Sequence, residues 1–528
     1  MIDALPDKGV PGEQILAELR ELRGGDLPTH GGRLFAYVYD PALEGLDDLA
    51  RAAHATSAHV NGLDPTAFPS LLAMENALVA AAAKLLGGAP VTAASGPAAG
   101  SATASAPVVG SATDGGPVVG SAAGGGPVVG SAAGGGPVVG SAAGGGPVVG
   151  SATSGGTESL ILAVKAARDA HPEIARPRLV VPSTAHAAFA KAAHYLRVEL
   201  DTVPVKGLRA DPPAMAAAIT PDTVLVAASA PSYAHGVVDP IPELAAIAAE
   251  RGVRFHVDAC FGGWILPYLR RLGADLPDFD FSVPGVTSIS VDLHKYAYAP
   301  KGVSILLHRD EALRRPQYFA YADWPGYTMV NPVISSTRSG GPIAAAFATL
   351  RSIGDIGYLE LATRTREAVA ILAAAVEETD GVRLYAPAET SVVCLAADGV
   401  DLFVLADELA ARGWHTQPQM AYADLPPTIH LTVTAAVRAT ATDFGPDLAA
   451  AVAAAKARGP VELPPLPPLT PEMITPDLIA SLAEGLGLAG GDFTQMATVN
   501  SILSAAPPAL REALLTGFLS FLQRPVTY

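Results

Sequence analysis

The stretch from Thr287 to Gly302, TSISVDLHKYAYAPKG, decides the fold of this chain and suggests its chemistry. Apolar β-branched residues alternate with small polar ones up to Val291, and a turn follows at Pro300. This pattern predicts a buried strand that ends in a loop. Lys295 stands in that loop, where ligand crevices form in α/β proteins. Because burial weakens the preference of an amine for its charged form, Lys295 is a candidate Schiff-base lysine. The alternative is a surface lysine that follows a strand.

Four further apolar runs alternate with helical stretches on either side of this strand. They are LVVP, TVLVAAS, VRFHVDA and VSILLH, which begin at Leu179, Thr223, Val253 and Val303. Runs of this length between helices predict a mostly parallel sheet buried on both faces. The expected fold class is therefore α/β, with a mostly parallel central sheet flanked by helices and a smaller C-terminal α/β domain.

Changes of pattern along the chain predict four parts. Residues 1–60 are expected to form an N-terminal arm, 61–340 a large domain, 341–460 a small C-terminal domain, and 461–528 a proline-rich linker with a helical tail. A low-complexity insertion at 91–150 interrupts the large domain. The arm contains an amphipathic helix, which suits docking or dimer formation, and a short predicted strand in RLFAYVYD.

The insertion is a repeat of PVVGSA, which occurs five times with a ten-residue period. It lacks the large apolar residues that a stacked solenoid needs, and its composition favours disorder or a loose extended structure. GGAP at 87–90 resembles GGGP at 144–147, so removing 91–147 would leave a continuous sequence. We interpret the repeat as an expansion of this junction that leaves the fold untouched, because loops tolerate length at a slowly growing entropic cost.

Composition limits the classes of partner and site. The net charge of −17 argues against a nucleic-acid partner. Cys260 and Cys394 are the only cysteines, too few for a disulfide framework or a cysteine zinc site. The first residues show no signal-peptide pattern, and no apolar run is long enough for an integral membrane segment. The expected location is cytoplasmic.

The segment TSGGTES at residues 153–159 is a candidate anion site. Two glycines and several hydroxyl side chains stand there just before a predicted helix. Uncovered backbone N–H groups and the positive end of a helix suit an anion, and Ser154 or Thr157 can add a donor. A simple capping turn is the alternative.

Two further motifs contain residues with possible site chemistry. In RFHVDACFGGW, His256 and Asp258 point to the same side of a strand, as metal ligands, as a hydrogen-bonded pair, or as one functional carboxylate. A third ligand at metal spacing is missing, so no metal site is predicted. Asp258 suits a protonated ring nitrogen, with which it would form a charge-assisted hydrogen bond. His186, in AHAAFAKAA, is placed either to stack on a flat ring or to cap a helix.

Six motifs in one order resemble the sphingosine-1-phosphate lyase branch of the group II pyridoxal-phosphate-dependent decarboxylase family. They are TSGGTES, AHAAFAKAA, SAPSYAHGVVDP, HVDACFGGW, GVTSISVDLHKYAYAPKG and STRSGG. The resemblance covers about Asn61 to Gly341, with a weaker match at HLTVT. It implies a fold-type I enzyme with pyridoxal 5'-phosphate as cofactor. It also implies a homodimer whose active sites lie at the subunit boundary.

The resemblance assigns roles to individual residues. Lys295 would carry the internal aldimine, Asp258 would pair with the pyridinium nitrogen, and His186 would stack on the ring. The cofactor phosphate would be held by Gly155, Gly156, Thr157, Ser290 and His294.

Other residues match positions that face the substrate in the lyases. These are Tyr233 and Lys301, and either Tyr39 or the neighbouring Tyr37 matches an active-site tyrosine. The alternatives are a packed loop tyrosine and a solvated lysine.

The implied activity is a carbon–carbon lyase that acts on a small amine or amino acid. Decarboxylation and retro-aldol cleavage of a 3-hydroxy-2-amine both remain open, because the protein selects which bond at Cα breaks. Asp64 stands where the lyases have a histidine that helps to hold the substrate phosphate, and a desolvated aspartate would repel that group. A catalytically impaired scaffold, or an assembly protein that uses the repeat for interaction, is the alternative function.

Overall fold

The computed structural model describes residues 6–88, 147–463, 469–488 and 495–523. A seven-stranded sheet lies at its centre, and a four-stranded sheet follows later in the chain. The predicted α/β class is therefore confirmed. The strands are β1 (Val149–Thr153), β2 (Arg178–Pro182), β3 (Glu199–Val203), β4 (Val205–Lys206), β5 (Arg209–Ala210), β6 (Thr223–Ser229), β7 (Arg254–Asp258), β8 (Ser288–Asp292), β9 (Ser304–His308), β10 (Phe319–Tyr321), β11 (Met329–Asn331), β12 (Val382–Leu384), β13 (Val392–Ala397), β14 (Gln417–Gln419) and β15 (Thr428–Thr432).

The helices connect these strands and extend the chain at both ends. They are α1 (Gly12–Leu22), α2 (Leu46–Ser57), α3 (Pro69–Leu85), α4 (Gly156–Asp169), α5 (Ala188–Leu196), α6 (Pro212–Ala218), α7 (Ile241–Glu250), α8 (Leu266–Arg271), α9 (Glu311–Arg314), α10 (Gly341–Glu377), α11 (Leu402–Ala411), α12 (Ala441–Arg458), α13 (Pro476–Gly485), α14 (Ala497–Ala505) and α15 (Pro508–Leu522). In the described part of the chain, none of them combines the length and the apolar character that a membrane crossing requires.

The central sheet has the strand order β1-β9-β8-β7-β6-β2-β3. Neighbouring strands from β8 to β3 are parallel, and β9 runs antiparallel to both of its neighbours. Because β1 and β8 both oppose β9, they point in the same direction. The carboxyl ends of β1, β6, β7 and β8 therefore lie along one edge of the sheet, where an α/β fold forms its ligand crevice.

Apolar packing covers both faces of this sheet. On β2, Leu179 and Val181 pack in a cluster with Phe189 of α5, whereas Val180 packs in the main cluster with Leu244 of α7. Successive side chains of a strand point to opposite faces, so a run of apolar residues needs a partner layer on each side. This burial explains why the strands are continuous apolar runs.

Helix α10 joins the two sheets. It contacts α2, α3 and α8 beside the central sheet, and it contacts β12 and α12 beside the four-stranded sheet. Its backbone is interrupted at Gly354, where φ is 65°. A positive φ costs little for glycine, so the long helix changes direction there without the strain that another residue would bring.

The N-terminal segment differs in part from the prediction. The stretch RLFAYVYD was expected to form a strand, but it makes only an isolated parallel bridge between Leu34 and His415. Helix α1 forms as predicted from the apolar spacing. None of its residues is buried, and Leu19 and Leu22 are 51% and 60% exposed.

The residues that flank the insertion touch each other, although the repeat from 89 to 146 lies outside the described residues. A Cβ atom added at Gly88 would lie 2.8 Å from Cγ2 of Val148. The last repeat unit, at 147–152, supplies residues 149–152 of β1, which pairs with β9, so the predicted insertion at 91–150 extends too far: its last two residues belong to the central sheet. The chain therefore leaves the folded domain and re-enters it at almost the same point.

We expect deletion of residues 91–147 to leave the domain folded, with a change of less than ~1 kcal/mol in the free energy of unfolding, because closing a shorter loop costs no more entropy. Thermal unfolding and the mass in solution measure this, and removal of one ten-residue unit is the milder control. Loss of folded protein would contradict the surface-insertion interpretation. Loss of oligomers from a folded deletion variant would instead favour a role of the repeat in assembly.

Candidate active site

A cavity of about 460 Å³ opens at the edge formed by the carboxyl ends of β1, β6, β7 and β8. Nine of the ten residues predicted for the site line it, and the exception is Ser290. The nine are Gly155, Gly156, Thr157, His186, Tyr233, Asp258, His294, Lys295 and Lys301. Segments at or after the ends of five strands, β1, β2, β6, β7 and β8, thus bring together residues that are up to 146 positions apart in the sequence.

Lys295 makes an ion pair at the base of this cavity. Its Nζ lies 3.0 Å from Oδ2 of Asp292, and the two side chains are 19% and 3% exposed. Burial lowers the pKa of Lys295, but the nearby charge of Asp292, helped by Cys260 and Asp258, outweighs burial and raises the pKa overall. The expectation that burial alone would favour the neutral amine was therefore wrong, because the strand end also brings a carboxylate.

Asp292 was missed in the sequence, although its position three residues before Lys295 in DLHK puts both in one turn. Burial raises the pKa of Asp292, but the charges of Lys295 and His294 and a hydrogen bond from Ser304 lower it overall. The Ser304 hydroxyl donates to Oδ1 at 2.5 Å. Asp292 is thus an ionised group that holds the lysine in place.

The predicted anion site is a turn that opens into α4. A Cβ atom at Gly155 would meet nothing within 4 Å, whereas at Gly156 it would lie 2.8 Å from Sγ of Cys260. Glu158 fixes the turn from behind: the Ser154 N–H donates to Oε2 at 2.6 Å and the Ile334 N–H donates to Oε1 at 2.8 Å. Free backbone N–H groups at the start of a helix suit an anion.

Asp258 stands at the end of β7 with 7% of its surface exposed. Its Oδ1 accepts hydrogen bonds from the Cys260 N–H at 3.1 Å and from the Ser290 hydroxyl at 3.4 Å. Among the described residues, none donates a hydrogen bond to Oδ2. One oxygen is therefore anchored, and the other can accept from a group in the cavity.

Ser290 differs from its expected place. Its side chain is fully buried behind Asp258, where it also contacts Nε2 of His256 at 3.1 Å. The hydroxyl does not line the cavity and supports Asp258, so the expected contact with a cofactor phosphate is not borne out by this geometry. Side chains two positions apart share one face of a strand, so Ser290 lies on the same face as Asp292 but one residue pair further from the strand end that opens into the cavity.

His256 belongs to the same buried layer, and both of its ring nitrogens contact serine hydroxyls. Its Nδ1 lies 2.8 Å from the Ser288 hydroxyl, and burial lowers its pKa to about 3. Across the residues that the structure describes, no group of three His, Cys, Asp or Glu side chains is placed to hold a metal ion.

His186 makes the capping contact, one of the two roles that the sequence left open, and its ring also lines the cavity. Its Nδ1 accepts a hydrogen bond from the Ala188 N–H at 3.1 Å, which caps the start of α5. The ring also lines the cavity and meets the ring of Tyr233 edge-on, with 6.4 Å between centroids. Helix capping thus fixes the orientation of a ring that remains available to a ligand.

Tyr233 and Lys301, which were predicted to face the substrate, both line the cavity. Burial raises the pKa of Tyr233. The pKa of Lys301 is lowered by burial and by the charge of Lys295, and its Nζ lies 5.4 Å from the ring of Tyr39. Tyr37 is 65% exposed, so of the two early tyrosines Tyr39 is the one next to the site.

Asp64 lies in a local surface turn. Its Oδ1 accepts from the N–H of Thr66 at 2.8 Å and from its hydroxyl at 2.6 Å, and these hydrogen bonds lower the pKa of Asp64. The carboxylate is solvated and does not line the cavity of its own chain. Asp64 therefore does not bring a desolvated negative charge into the cavity of its own chain.

Two family descriptions match the chain. Residues 141–397 match the pyridoxal-dependent decarboxylase conserved domain. Residues 446–521 match the description of a C-terminal putative HTH domain of pyridoxal-dependent enzymes.

Individual relatives extend this similarity over most of the chain. The sphingosine-1-phosphate lyase of Arabidopsis thaliana is 34% identical over 467 residues, which cover 87% of this chain and 75% of that protein. The alignment with the lyase of Dictyostelium discoideum, 41% identical, spans about half of both proteins, 53% and 52%.

Solved structures give the same result. The sphingosine-1-phosphate lyase of Burkholderia pseudomallei superposes with a TM-score of 0.73 at 30% identity, covering 93% of this chain and 97% of the other. A glutamate decarboxylase of Lactobacillus brevis gives a TM-score of 0.68 at 18% identity, with coverage of 87% and 97%, and shares the fold.

Proposed function

Because the chain belongs to the sphingosine-1-phosphate lyase-like branch of the pyridoxal-phosphate-dependent decarboxylase family, and is a lyase with pyridoxal phosphate as cofactor, we propose that it cleaves the Cα–Cβ bond of a 3-hydroxy-2-amino compound. The products are an aldehyde and a primary amine. The observation that carries the proposal is the cavity itself, which combines Lys295, Asp258 and a lysine of lowered pKa, Lys301.

The residues of the cavity fit the cofactor. The glycine turn at the start of α4 suits its phosphate, Oδ2 of Asp258 suits its ring nitrogen, and His186 offers a ring to stack on. Lys295 provides the amine for its aldehyde. When bound there, pyridoxal phosphate supplies an electron sink for the bond that breaks at Cα.

The remaining residues act on protons. We assign to Lys301 the acceptance of the proton from the 3-hydroxyl group, because burial and Lys295 favour its neutral form. Tyr233, whose pKa is raised by burial, keeps its proton and donates a hydrogen bond to the substrate. Asp292 compensates the charge of Lys295.

Decarboxylation of an amino acid is the second candidate. The family description and the shared fold of the glutamate decarboxylase favour it. The relatives that are at least 30% identical and aligned over most of the chain are sphingosine-1-phosphate lyases, which favours aldol cleavage. The scaffold alternative has no supporting observation, since Lys295, Asp258 and His186 line one cavity.

We also propose a homodimer in the cytoplasm. Helix α1 exposes an apolar stripe, and the hairpin of β10 and β11 exposes Phe319, Tyr321 and Val330 at 50%, 48% and 58%. Exposed apolar surfaces of this kind favour a protein interface. A nucleic-acid partner is disfavoured even for residues 446–521, because they carry three basic and seven acidic residues, the wrong balance for a phosphate backbone.

The test is product analysis with purified enzyme loaded with pyridoxal phosphate. Sphingosine 1-phosphate, its unphosphorylated analogue, L-threonine and L-glutamate are each supplied, and aldehyde and carbon dioxide are measured. We expect aldehyde from at least one of the three hydroxy amines and no carbon dioxide. Release of carbon dioxide from glutamate without any aldehyde would favour the decarboxylase.

The Lys301→Met variant tests the proton acceptor. We expect turnover to fall by roughly 100-fold, the usual contribution of a positioned base, while cofactor absorbance is retained. Lys206→Met, at an exposed lysine away from the cavity, is the matched control and should behave as wild type. Unchanged turnover in the Lys301 variant would remove Lys301 from the mechanism.

A further inference from the structure

The loop that carries Tyr233 is held by the four-stranded sheet. It follows β6 of the central sheet, yet Nε2 of Gln419 donates to the Ala234 carbonyl at 2.8 Å, and the Thr390 hydroxyl donates to the Gly236 carbonyl at 2.7 Å. The loop lies so close to the four-stranded sheet that a Cβ atom at Gly236 would lie 2.4 Å from Cβ of Val392. The backbone around Tyr233 is therefore fixed from the second sheet.

The Tyr233 ring is fixed from the same side by His430 of β15. The two rings are stacked, with 4.5 Å between centroids and 21° between planes. Phe261 meets both rings edge-on, at 5.8 Å from Tyr233 and 6.2 Å from His430. Offset and edge-on contacts of this kind are the favourable geometries for aromatic rings.

His430 itself cannot rotate freely. Its side chain is fully buried, and Nε2 lies 2.7 Å from the Thr432 hydroxyl. Burial lowers its pKa to about 4, so the ring is neutral at the pH of an ordinary assay. His430 does not line the cavity, and it meets the cavity wall through Tyr233 and Phe261.

We propose that His430 is a positioning residue, whose ring forms a rigid platform that orients the substrate-facing Tyr233 from the second sheet. This rests on the proposed function for its effect on turnover, but the stacking contact can be tested without it. The consequence is that the four-stranded sheet contributes to the active site although its strands supply no residue to the cavity wall.

The test measures how accessible the Tyr233 ring is to nitration by tetranitromethane in the purified protein, read for each tyrosine by mass spectrometry. In His430→Ala we expect nitration of Tyr233 to be roughly three to ten times faster, which is the factor that corresponds to the usual free energy of an aromatic stack. In His430→Phe, which keeps a flat ring, the rate should stay within about twofold of wild type. Tyr195, which is 61% exposed, is the internal reference.

Two measurements separate positioning from simple core packing. Thr432→Val removes the hydrogen bond and keeps the ring, so it should resemble His430→Phe. With substrate, kcat should fall in His430→Ala and recover in His430→Phe, while KM changes little. If nitration of Tyr233 is unchanged in His430→Ala although the melting temperature falls, His430 is only a core residue and the proposal is wrong. Faster nitration without any detectable turnover in wild type would overturn the proposed function and leave the contact standing.

Discussion

In Lys295→Ala we expect the visible absorbance of bound pyridoxal phosphate to disappear and turnover to fall at least ~1000-fold. The reason is that no other described lysine in the cavity forms an ion pair like that of Lys295 with Asp292. Lys301 also lines the cavity and is the lysine to which we assigned the substrate proton. Absorbance spectra after incubation with the cofactor and initial rates with the accepted substrate measure the two losses.

The same substitution also removes one partner of a buried ion pair. Asp292 is 3% exposed, and leaving such a charge without its partner typically costs ~3–5 kcal/mol of stability. Lys295 helps to lower the pKa of Asp292, so the pair stabilises the fold above the ordinary pKa of an aspartate and less as the pH falls. The stability lost in Lys295→Ala should therefore be largest near neutral pH and shrink in acid.

A double variant separates chemistry from folding. Lys295→Met with Asp292→Asn removes both charges and should recover much of the melting temperature lost in Lys295→Ala, yet remain inactive. A double variant that regains turnover, or a single variant that keeps the cofactor absorbance, would contradict the role of Lys295.

Asp258→Asn is expected to lower turnover by roughly 100- to 1000-fold, the scale for a preorganised charged group, while the cofactor still binds. Asparagine can still accept the hydrogen bonds that Cys260 and Ser290 donate to Oδ1. It lacks the negative charge that favours a protonated ring nitrogen. Rates and cofactor absorbance, measured on the same preparation, distinguish a loss of chemistry from a loss of binding.

Ser290→Ala is the matched control for that substitution. It removes one hydrogen bond to Asp258 and keeps the carboxylate, so a loss of less than tenfold is expected, since a hydrogen bond is usually worth about 1 kcal/mol. If Asp258→Asn retains a tenth or more of the wild-type turnover, the charge of Asp258 is not required and its proposed pairing is wrong.

The sequence predicted the sheet well, because a strand buried on both faces must be an uninterrupted apolar run. Strands β6 and β8 show this, since all of their residues are buried. RLFAYVYD alternates like a strand but forms one bridge, between Leu34 and His415, and isolated backbone hydrogen bonds from Thr432 and Ala436 instead of a continuous ladder. The local sequence pattern does not reveal whether a sheet edge is available for such a stretch to pair with.

Prediction of the site was accurate for residues that follow strand ends and poor for their partners. Lys295 and Asp258 could be placed from the chain alone, since the end of a parallel strand fixes their position. The direction of the pKa shift of Lys295 could not be predicted, because it depends on the distance between Lys295 and Asp292 in the folded chain. The contact of His430 with Tyr233 joins residues almost two hundred positions apart, and no periodicity encodes it.

The contact between Gly88 and Val148 has a consequence for how this gene can change. Gain or loss of one repeat unit by slippage during DNA replication alters the chain by ten residues and moves neither anchor. Selection for a folded domain therefore constrains the number of repeat units only weakly. We expect otherwise similar alleles to differ in the number of units, with the two flanking junctions kept.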